Sequence, residues 1–202
     1  MLGKWIKEYI AINKREILIV IGLLLLGFVI GIGAYVFSSS EIKQTAIESV
    51  KQVLDISKED TYVKTNIIKN GIKNNLITVF LLAILSVMLF GKYVIYGLTI
   101  LKGASISLYT IVIFNIFGSL WGILVTLLLV VLVNILYIPA FIYLVLAFLE
   151  VNFNVFKIKS STREYSVYKI LLTIFIGSIL MFSSVIVEQI ASNVVLNIYN
   201  KM

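Results

Sequence analysis

The sequence predicts an all-α, polytopic membrane protein with about five transmembrane helices and a short amphipathic extracytoplasmic helical segment. The first observation is composition, because 60% of the 202 residues are hydrophobic and 13% are charged, whereas an average soluble domain is roughly 45–50% apolar and about 25% charged. The second is that residues 17–37 contain no charged side chain. At a rise of about 1.5 Å per residue, such a helix crosses a hydrocarbon core of about 30 Å. The third is the stretch 76–149, in which only Lys92 and Lys102 are charged.

The individual spans follow from where this apolar sequence is interrupted. Gly91-Lys92 and the segment Gly118–Gly122 are the clearest turn signals, although the first turn fits equally well around Lys102-Gly103. The whole chain, 1–202, is interpreted as a single integral membrane domain with spans near 17–37, 76–92, 94–117, 123–149 and 170–190. An extracytoplasmic segment, 38–75, follows the first span, and a cytoplasmic loop, 150–169, precedes the last.

The two ends of the chain are predicted to lie on opposite sides of the membrane. Residues 1–16 carry four basic residues and apolar residues at helical spacing, which predicts an amphipathic helix on the membrane surface. With the N-terminus inside, ten Lys and Arg residues fall on the cytoplasmic side and seven outside, the direction that the positive-inside rule favours. We therefore expect a cytoplasmic N-terminus, an extracytoplasmic C-terminus and an uncleaved signal anchor at 17–37.

Composition also excludes most catalytic chemistry. The chain has no cysteine and no histidine, which excludes disulfides, thiol nucleophiles, Cys/His metal sites and any histidine-based catalytic triad. No glycine-rich phosphate loop is present, so no cofactor and no ATP hydrolysis are expected. The net charge of +7 lies in segments that flank the spans, where it favours membrane lipid over nucleic acid as a partner. We expect a protein that is not an enzyme and has no catalytic, cofactor-binding or metal-binding residues.

The polar segment 38–75 is the main candidate for binding partner proteins. Apolar residues recur there at steps of three and four, which predicts an amphipathic helix over about 41–56. The segment is too short to form its own core, so its apolar face must rest on the bilayer, on the bundle or on a partner. The candidate partner-binding residues are Ile42, Ile47, Val50 and Leu54.

The first span carries a glycine pattern that is typical of close helix packing. Gly27 and Gly31 form a GxxxG motif, which Gly33 extends. Glycines four residues apart lie on one helix face and let a second backbone approach closely. We expect this face to pack inside the bundle, with dimerisation as the alternative.

Four ionisable side chains fall at membrane depth, namely Lys92, Lys102, Glu150 and Glu188. They are candidates for function because a charge at that depth costs at least ~2.5–3.5 kcal/mol. The simplest interpretation places all four near helix ends, with the lysines reaching the headgroups. The alternative places Lys102 inside the bundle beside Gly103, as an intramembrane anchor or a contact for anionic lipid. No span carries two carboxylates, which disfavours an aspartyl protease and a proton relay.

Asn134 and Pro139 share the fourth predicted span. Proline has no N–H to donate and clashes with the carbonyl four residues back, that of Ile135, so a kink is expected there. Asn134 is expected either to bond across to another helix or to satisfy the freed backbone.

The order of these features resembles the stage II sporulation protein M family. The shared pattern is a basic N-terminus, a glycine-bearing first span, a lysine-rich outer segment and an Asn-Asn entry to the second span, here Asn74-Asn75. Gly91, Lys102-Gly103 and the stretch Asn134–Ala140 continue the resemblance over nearly the whole chain. The chain departs from the family where Leu132-Val133 stands in place of a frequent Leu-Pro.

The resemblance implies a role in endospore formation. Members of the family act in the mother-cell membrane at the septum during engulfment. Their partners, stage II sporulation proteins D and P, carry the peptidoglycan-degrading activities. The leading hypothesis is therefore a non-catalytic membrane scaffold that recruits and organises such cell-wall hydrolases. The alternative is a membrane subunit of a small transporter or permease, in which the interrupted spans line a path.

Overall fold

A computed structural model describes residues 2–56, 62–155 and 167–199 of the chain. In that part of the chain the residues form helices joined by short turns, so the predicted all-α fold is confirmed. The helices are α1 (Leu2–Phe37), α2 (Ser40–Ile56), α3 (Tyr62–Ser86), α4 (Gly91–Phe117), α5 (Ser119–Thr126), α6 (Val133–Val155) and α7 (Val167–Tyr199). A π-helical segment, Leu127–Leu132, joins α5 to α6 without a break.

Five of the helical stretches among the described residues are long and apolar enough to cross a membrane. This number agrees with the prediction from the sequence. The five spans are Asn13–Phe37, Ile68–Ser86, Gly91–Phe117, Leu120–Val155 and Ile170–Val195.

The first helix differs from the prediction because it is one uninterrupted element. A separate surface helix was expected over residues 1–16, whereas α1 begins at Leu2 and continues to Phe37. The sequence that joins the two parts, Lys14-Arg15-Glu16, consists of good helix formers with no glycine or proline, so nothing there ends the helix.

The turn between the second and third spans lies just before Gly91. The second span was expected at 76–92, but α3 begins at Tyr62 and ends at Ser86, and the Gly91 amide donates to the Met88 carbonyl at 2.9 Å. Helix α4 then continues through Lys102-Gly103, so the alternative turn position there is wrong.

The last two spans are longer than predicted. The fourth begins after Gly118, whose φ of 74° requires a residue without a side chain, and it ends at Val155 rather than at 149. The fifth ends at Val195 rather than at 190, and its helix, α7, continues to Tyr199. Of the predicted loop 150–169, both ends are helical, and 156–166 lies outside the described residues.

The bundle is held together by two close helix pairs. Helix α1 lies against α4, α6 lies against α7, and α3 contacts α4, α6 and α7. The fully buried side chains of the main core come from five helices, and they include Val20, Leu82, Ile95, Leu144, Val145 and Met181. Several polar residues of the spans lie together between α3, α4, α6 and α7.

Candidate functional site within the spans

The crossing of α1 and α4 is the first feature that positions the site. A Cβ atom added at Gly27 would overlap the Ile100 carbonyl, and one at Gly31 would overlap the Ser107 hydroxyl. From the other side, a Cβ at Gly103 would overlap the Leu24 carbonyl. The two backbones therefore touch, and the GxxxG face is occupied inside the bundle.

Gly33 does not take part in this crossing. A Cβ added there would have nothing within 4 Å among the described residues. Gly33 lies two positions beyond Gly31 in the helix, so it points away from the face of α1 that α4 covers.

Lys102 is half-buried near the middle of α4. It is eleven residues after the first residue of α4, which is about 16 Å along the helix axis. Glu188 is eleven residues before the last residue of α7. Neither residue lies near a helix end, so the simplest interpretation of the ionisable residues does not apply to these two. Lys92, by contrast, is the second residue of α4, and its Nζ lies 4.8 Å from the centre of the Tyr93 ring.

Lys102 makes a defined contact with α6. Its Nζ atom lies 4.5 Å from the centre of the Tyr137 ring. A cation over an aromatic face is attracted by the ring quadrupole, most strongly where water is excluded. The Tyr137 ring in turn stacks on Phe141, with ring centres 6.1 Å apart. The ammonium group is thus held against α6.

Lys102 and Glu188 face a common cavity of about 390 Å³ between α3, α4, α6 and α7. No direct ion pair joins these two described residues, but their opposite charges attract each other across the space. The remaining polar wall of the cavity includes Asn74, Asn75, Ser105, Tyr109, Asn134, Tyr137 and Ser184.

The Tyr137 hydroxyl is an unused polar group in this wall. Tyr137 is 7% exposed, and its hydroxyl has no hydrogen-bond partner of acceptable geometry among the described residues. The nearby Thr78 hydroxyl donates instead to the Asn74 carbonyl, at 2.9 Å. A buried hydroxyl without a partner is costly, so this group is ready to bond to something that enters the cavity.

Two asparagines of the cavity wall donate hydrogen bonds to backbone carbonyls, and that of Asn75 joins two helices. The Asn75 side-chain amide donates to the Met181 carbonyl of α7 at 2.8 Å, and the residue is 7% exposed. The Asn134 side-chain amide donates to the Val130 carbonyl at 2.7 Å. This bond is neither of the two that were expected for Asn134, because its acceptor lies in the preceding π-helical segment of the same span and is not the Ile135 carbonyl that Pro139 was expected to free.

Pro139 lies on the exposed side of α6, and the helix continues through it without interruption. The irregular backbone is upstream, at Leu127–Leu132. Pro139 instead lines a groove of about 510 Å³ between α1, α4 and α6. The groove is almost wholly apolar and shares two wall residues, Ile106 and Asn134, with the polar cavity.

Helix α2 carries the residues predicted to bind partners. Ile42 is 60% exposed, whereas Ile47 and Val50 are half-buried, and the side chain of Leu54 lies outside the described ones. The half-buried positions 43, 46, 47 and 50 recur at steps of three and four, so they form one face. Because α2 packs against α4, this face is turned to the bundle.

The sequence interpretation did not identify Tyr137, Tyr109 or Asn75 as wall residues. For two of the helices that line the cavity, the spacing of polar residues in the sequence does indicate a shared face. Ser184 and Glu188 are four apart, and Asn134 and Tyr137 are three apart, so each pair lies on one face of its helix. Within the described residues, no group of three potential metal-binding His, Cys, Asp or Glu side chains is found.

The five apolar helical stretches define a polytopic membrane protein, and a cavity with charged and polar walls lies between its helices. Residues 20–192 match the family model described as Stage II sporulation protein M. Because the match covers most of the chain, the protein belongs to this family, and it is a sporulation-associated membrane protein. Comparisons with curated proteins and with solved structures found no match.

Proposed function

We propose that the protein is a non-catalytic membrane scaffold that recruits and organises peptidoglycan-degrading partners at the sporulation septum during engulfment. The expected partners resemble stage II sporulation proteins D and P. The observation that carries the proposal is the placement of α2, a helix between the first two spans that has one face on the bundle and the other face exposed. In this proposal the N-terminus is cytoplasmic, so α2 lies on the side of the membrane where peptidoglycan is found.

Local contacts support a fixed position of α2 at the end of α1. The Lys43 Nζ donates to the Val36 carbonyl at 3.0 Å and lies 5.6 Å from the centre of the Tyr35 ring. The Ser39 hydroxyl accepts the Ile42 amide at the start of α2, at 3.4 Å. A partner that binds α2 would therefore be held at a defined place relative to the spans.

The outward face of α2 has a mixture of side chains that suits a protein partner. Ile42, which is 60% exposed, is the large apolar group on the part of this face that the structure describes. Around it are exposed polar residues, among which the Gln44 amide donates to the Glu48 carboxylate at 3.1 Å. An apolar centre with a polar rim is the usual composition of a protein-binding patch.

Co-purification from sporulating cells tests the proposal. The tagged protein is isolated in mild detergent, and cell-wall hydrolases are quantified by mass spectrometry. We expect them in the sample from the parent protein and a large loss when residues 41–56 are replaced by a flexible linker. Ile42→Ser should reduce recovery, whereas Ile42→Val, which keeps a branched apolar side chain, should not. Unchanged recovery from the linker variant, or degradation of peptidoglycan by the purified protein alone, would contradict the proposal.

A permease subunit is the second candidate, and the intramembrane cavity favours it. Charged residues that face an interior cavity are typical of substrate and ion pathways. The test is uptake of labelled solutes into vesicles that contain the purified protein. A flux that disappears in Lys102→Met but persists in Lys92→Met would support transport, and co-purification of a solute-binding protein in place of hydrolases would support it further. Equal flux in empty vesicles would exclude it.

A further inference from the structure

We propose that the cavity between α3, α4, α6 and α7 binds a zwitterionic group of the phosphoethanolamine type. Its ammonium lies toward Glu188, and its phosphate lies toward Lys102 and the Tyr137 hydroxyl. The site is independent of the scaffold role, since it lies within the spans and α2 does not line it.

The pair of separated opposite charges selects this chemistry. Lys102 and Glu188 share the cavity without a direct ion pair between them. A ligand with a single charge would satisfy one residue and leave the other unpaired in an apolar bundle, which is costly. A ligand with both charges satisfies both residues, and a cavity of about 390 Å³ is large enough for a headgroup.

The Tyr137 hydroxyl supplies the neutral hydrogen-bond donor of the site. It lies on the same side chain whose ring holds the Lys102 ammonium, and it has no partner among the described residues. A phosphate oxygen placed beside Lys102 would therefore meet both a cation and a hydroxyl donor, and phosphate accepts such charge-assisted bonds well.

The adjoining groove indicates a lipid as the source of the headgroup. It is almost wholly apolar, has a volume of about 510 Å³, and shares the wall residues Ile106 and Asn134 with the cavity. A polar cavity that adjoins an apolar groove matches an amphiphile, whose headgroup would lie in the cavity and whose acyl chain would run along Pro139.

The test measures lipid selectivity of the purified full-length protein. Retention of phosphatidylethanolamine is compared with that of phosphatidylglycerol, whose headgroup is anionic, by native mass spectrometry from mixed micelles. We expect the parent protein to prefer phosphatidylethanolamine by about tenfold, the effect of one charge-assisted interaction. Glu188→Gln should reverse the preference, and Lys102→Met should weaken retention of both lipids. The control Lys92→Met, a change of the same kind on the same helix, should behave like the parent.

Two further measurements complete the test. Tyr137→Phe keeps the ring under Lys102 and should fold normally, yet it should lower phosphatidylethanolamine retention about fivefold. Soluble phosphoethanolamine is then added at millimolar concentration to compete with the bound phosphatidylethanolamine. Competition would show that the headgroup alone is recognised, and a lack of competition would show that the lipid chain is required. Both outcomes support the site. Equal retention of the two lipids by the parent protein, or the same selectivity in the parent and in Glu188→Gln, would overturn it. Because no partner protein is present, either result leaves the co-purification test unaffected.

Discussion

Lys102 on α4 and Tyr137 on α6 form a cation–π contact in the interior of the bundle, with 4.5 Å between Nζ and the ring centre. A lysine at the centre of a membrane helix costs at least ~2.5–3.5 kcal/mol unless something offsets it. Here the aromatic face and the attraction of Glu188 across the cavity offset part of that cost. The contact thus holds the side chain against α6, whereas lysines in membrane helices usually extend to the headgroups.

The first prediction concerns this contact. Tyr137→Leu should lower the free energy of unfolding by about 2 kcal/mol, because the ring under the buried ammonium is lost. Tyr137→Phe should remain close to the parent protein, because the ring is kept and the hydroxyl it loses has no partner among the described residues. Unfolding in detergent at a fixed lipid content measures both. A Tyr137→Phe variant as unstable as Tyr137→Leu would contradict the cation–π account.

The second prediction concerns the glycine crossing of α1 and α4. Gly27→Ala and Gly31→Ala should each lower stability by about 1–3 kcal/mol, because the added methyl group overlaps backbone or side-chain atoms of α4. Gly33→Ala and Gly22→Ala are matched controls with nothing within 4 Å of the new atom among the described residues, and they should be neutral or slightly stabilising because alanine favours helix. Equal stability of all four variants would show that the crossing is looser than described.

The third prediction uses the Asn74-Asn75 pair. Asn75→Ala removes the bond to the Met181 carbonyl and should lower stability by about 0.6–1.7 kcal/mol, the average and the maximum measured for hydrogen bonds between helices of a membrane protein. The neighbouring Asn74 is exposed, so Asn74→Ala should have little effect on thermal unfolding. A larger loss in Asn74→Ala than in Asn75→Ala would reverse the assignment.

The fourth prediction concerns the turn between α3 and α4. The Asn152 side-chain amide donates to the carbonyls of Ser86 and Met88, at 3.0 and 2.8 Å. Asn152→Ala leaves both carbonyls without that donor, which should cost about 1–3 kcal/mol, and hydrogen exchange at residues 87–90 should become faster. Asn154→Ala, on the exposed side of the same helix, serves as the control, and unchanged exchange in Asn152→Ala would contradict this role.

The sequence predicts the helices of this protein well because their cause is local. Uncharged stretches of bilayer length produce the five spans, and the spacing of Gly27 and Gly31 indicates a close crossing. The helix that includes Ile42 and Val50 also follows from periodicity alone. The turn between the second and third spans is harder to predict, because Gly91 and Gly103 each stand next to a lysine in the sequence. Only the packing around the two glycines distinguishes them.

The interior of the site could not be predicted in the same way. Lys102 and Glu188 are 86 positions apart in the sequence. Whether they line the same cavity depends on how α4 and α7 are rotated about their axes. The π-helical segment Leu127–Leu132 is uniformly aliphatic and carries no local signal for a change of helix type. Such features arise from packing between helices rather than from residue preference.

The measurement that tests the scaffold most directly is crosslinking from α2 in sporulating cells. A photoreactive amino acid replaces Ile42 in one variant, and in a second variant it replaces Phe175, an exposed residue of the last span. The account predicts that the probe at position 42 captures a peptidoglycan-degrading protein and that the probe at position 175 does not. Capture of only lipid, or of a solute-binding protein, from position 42 would contradict it.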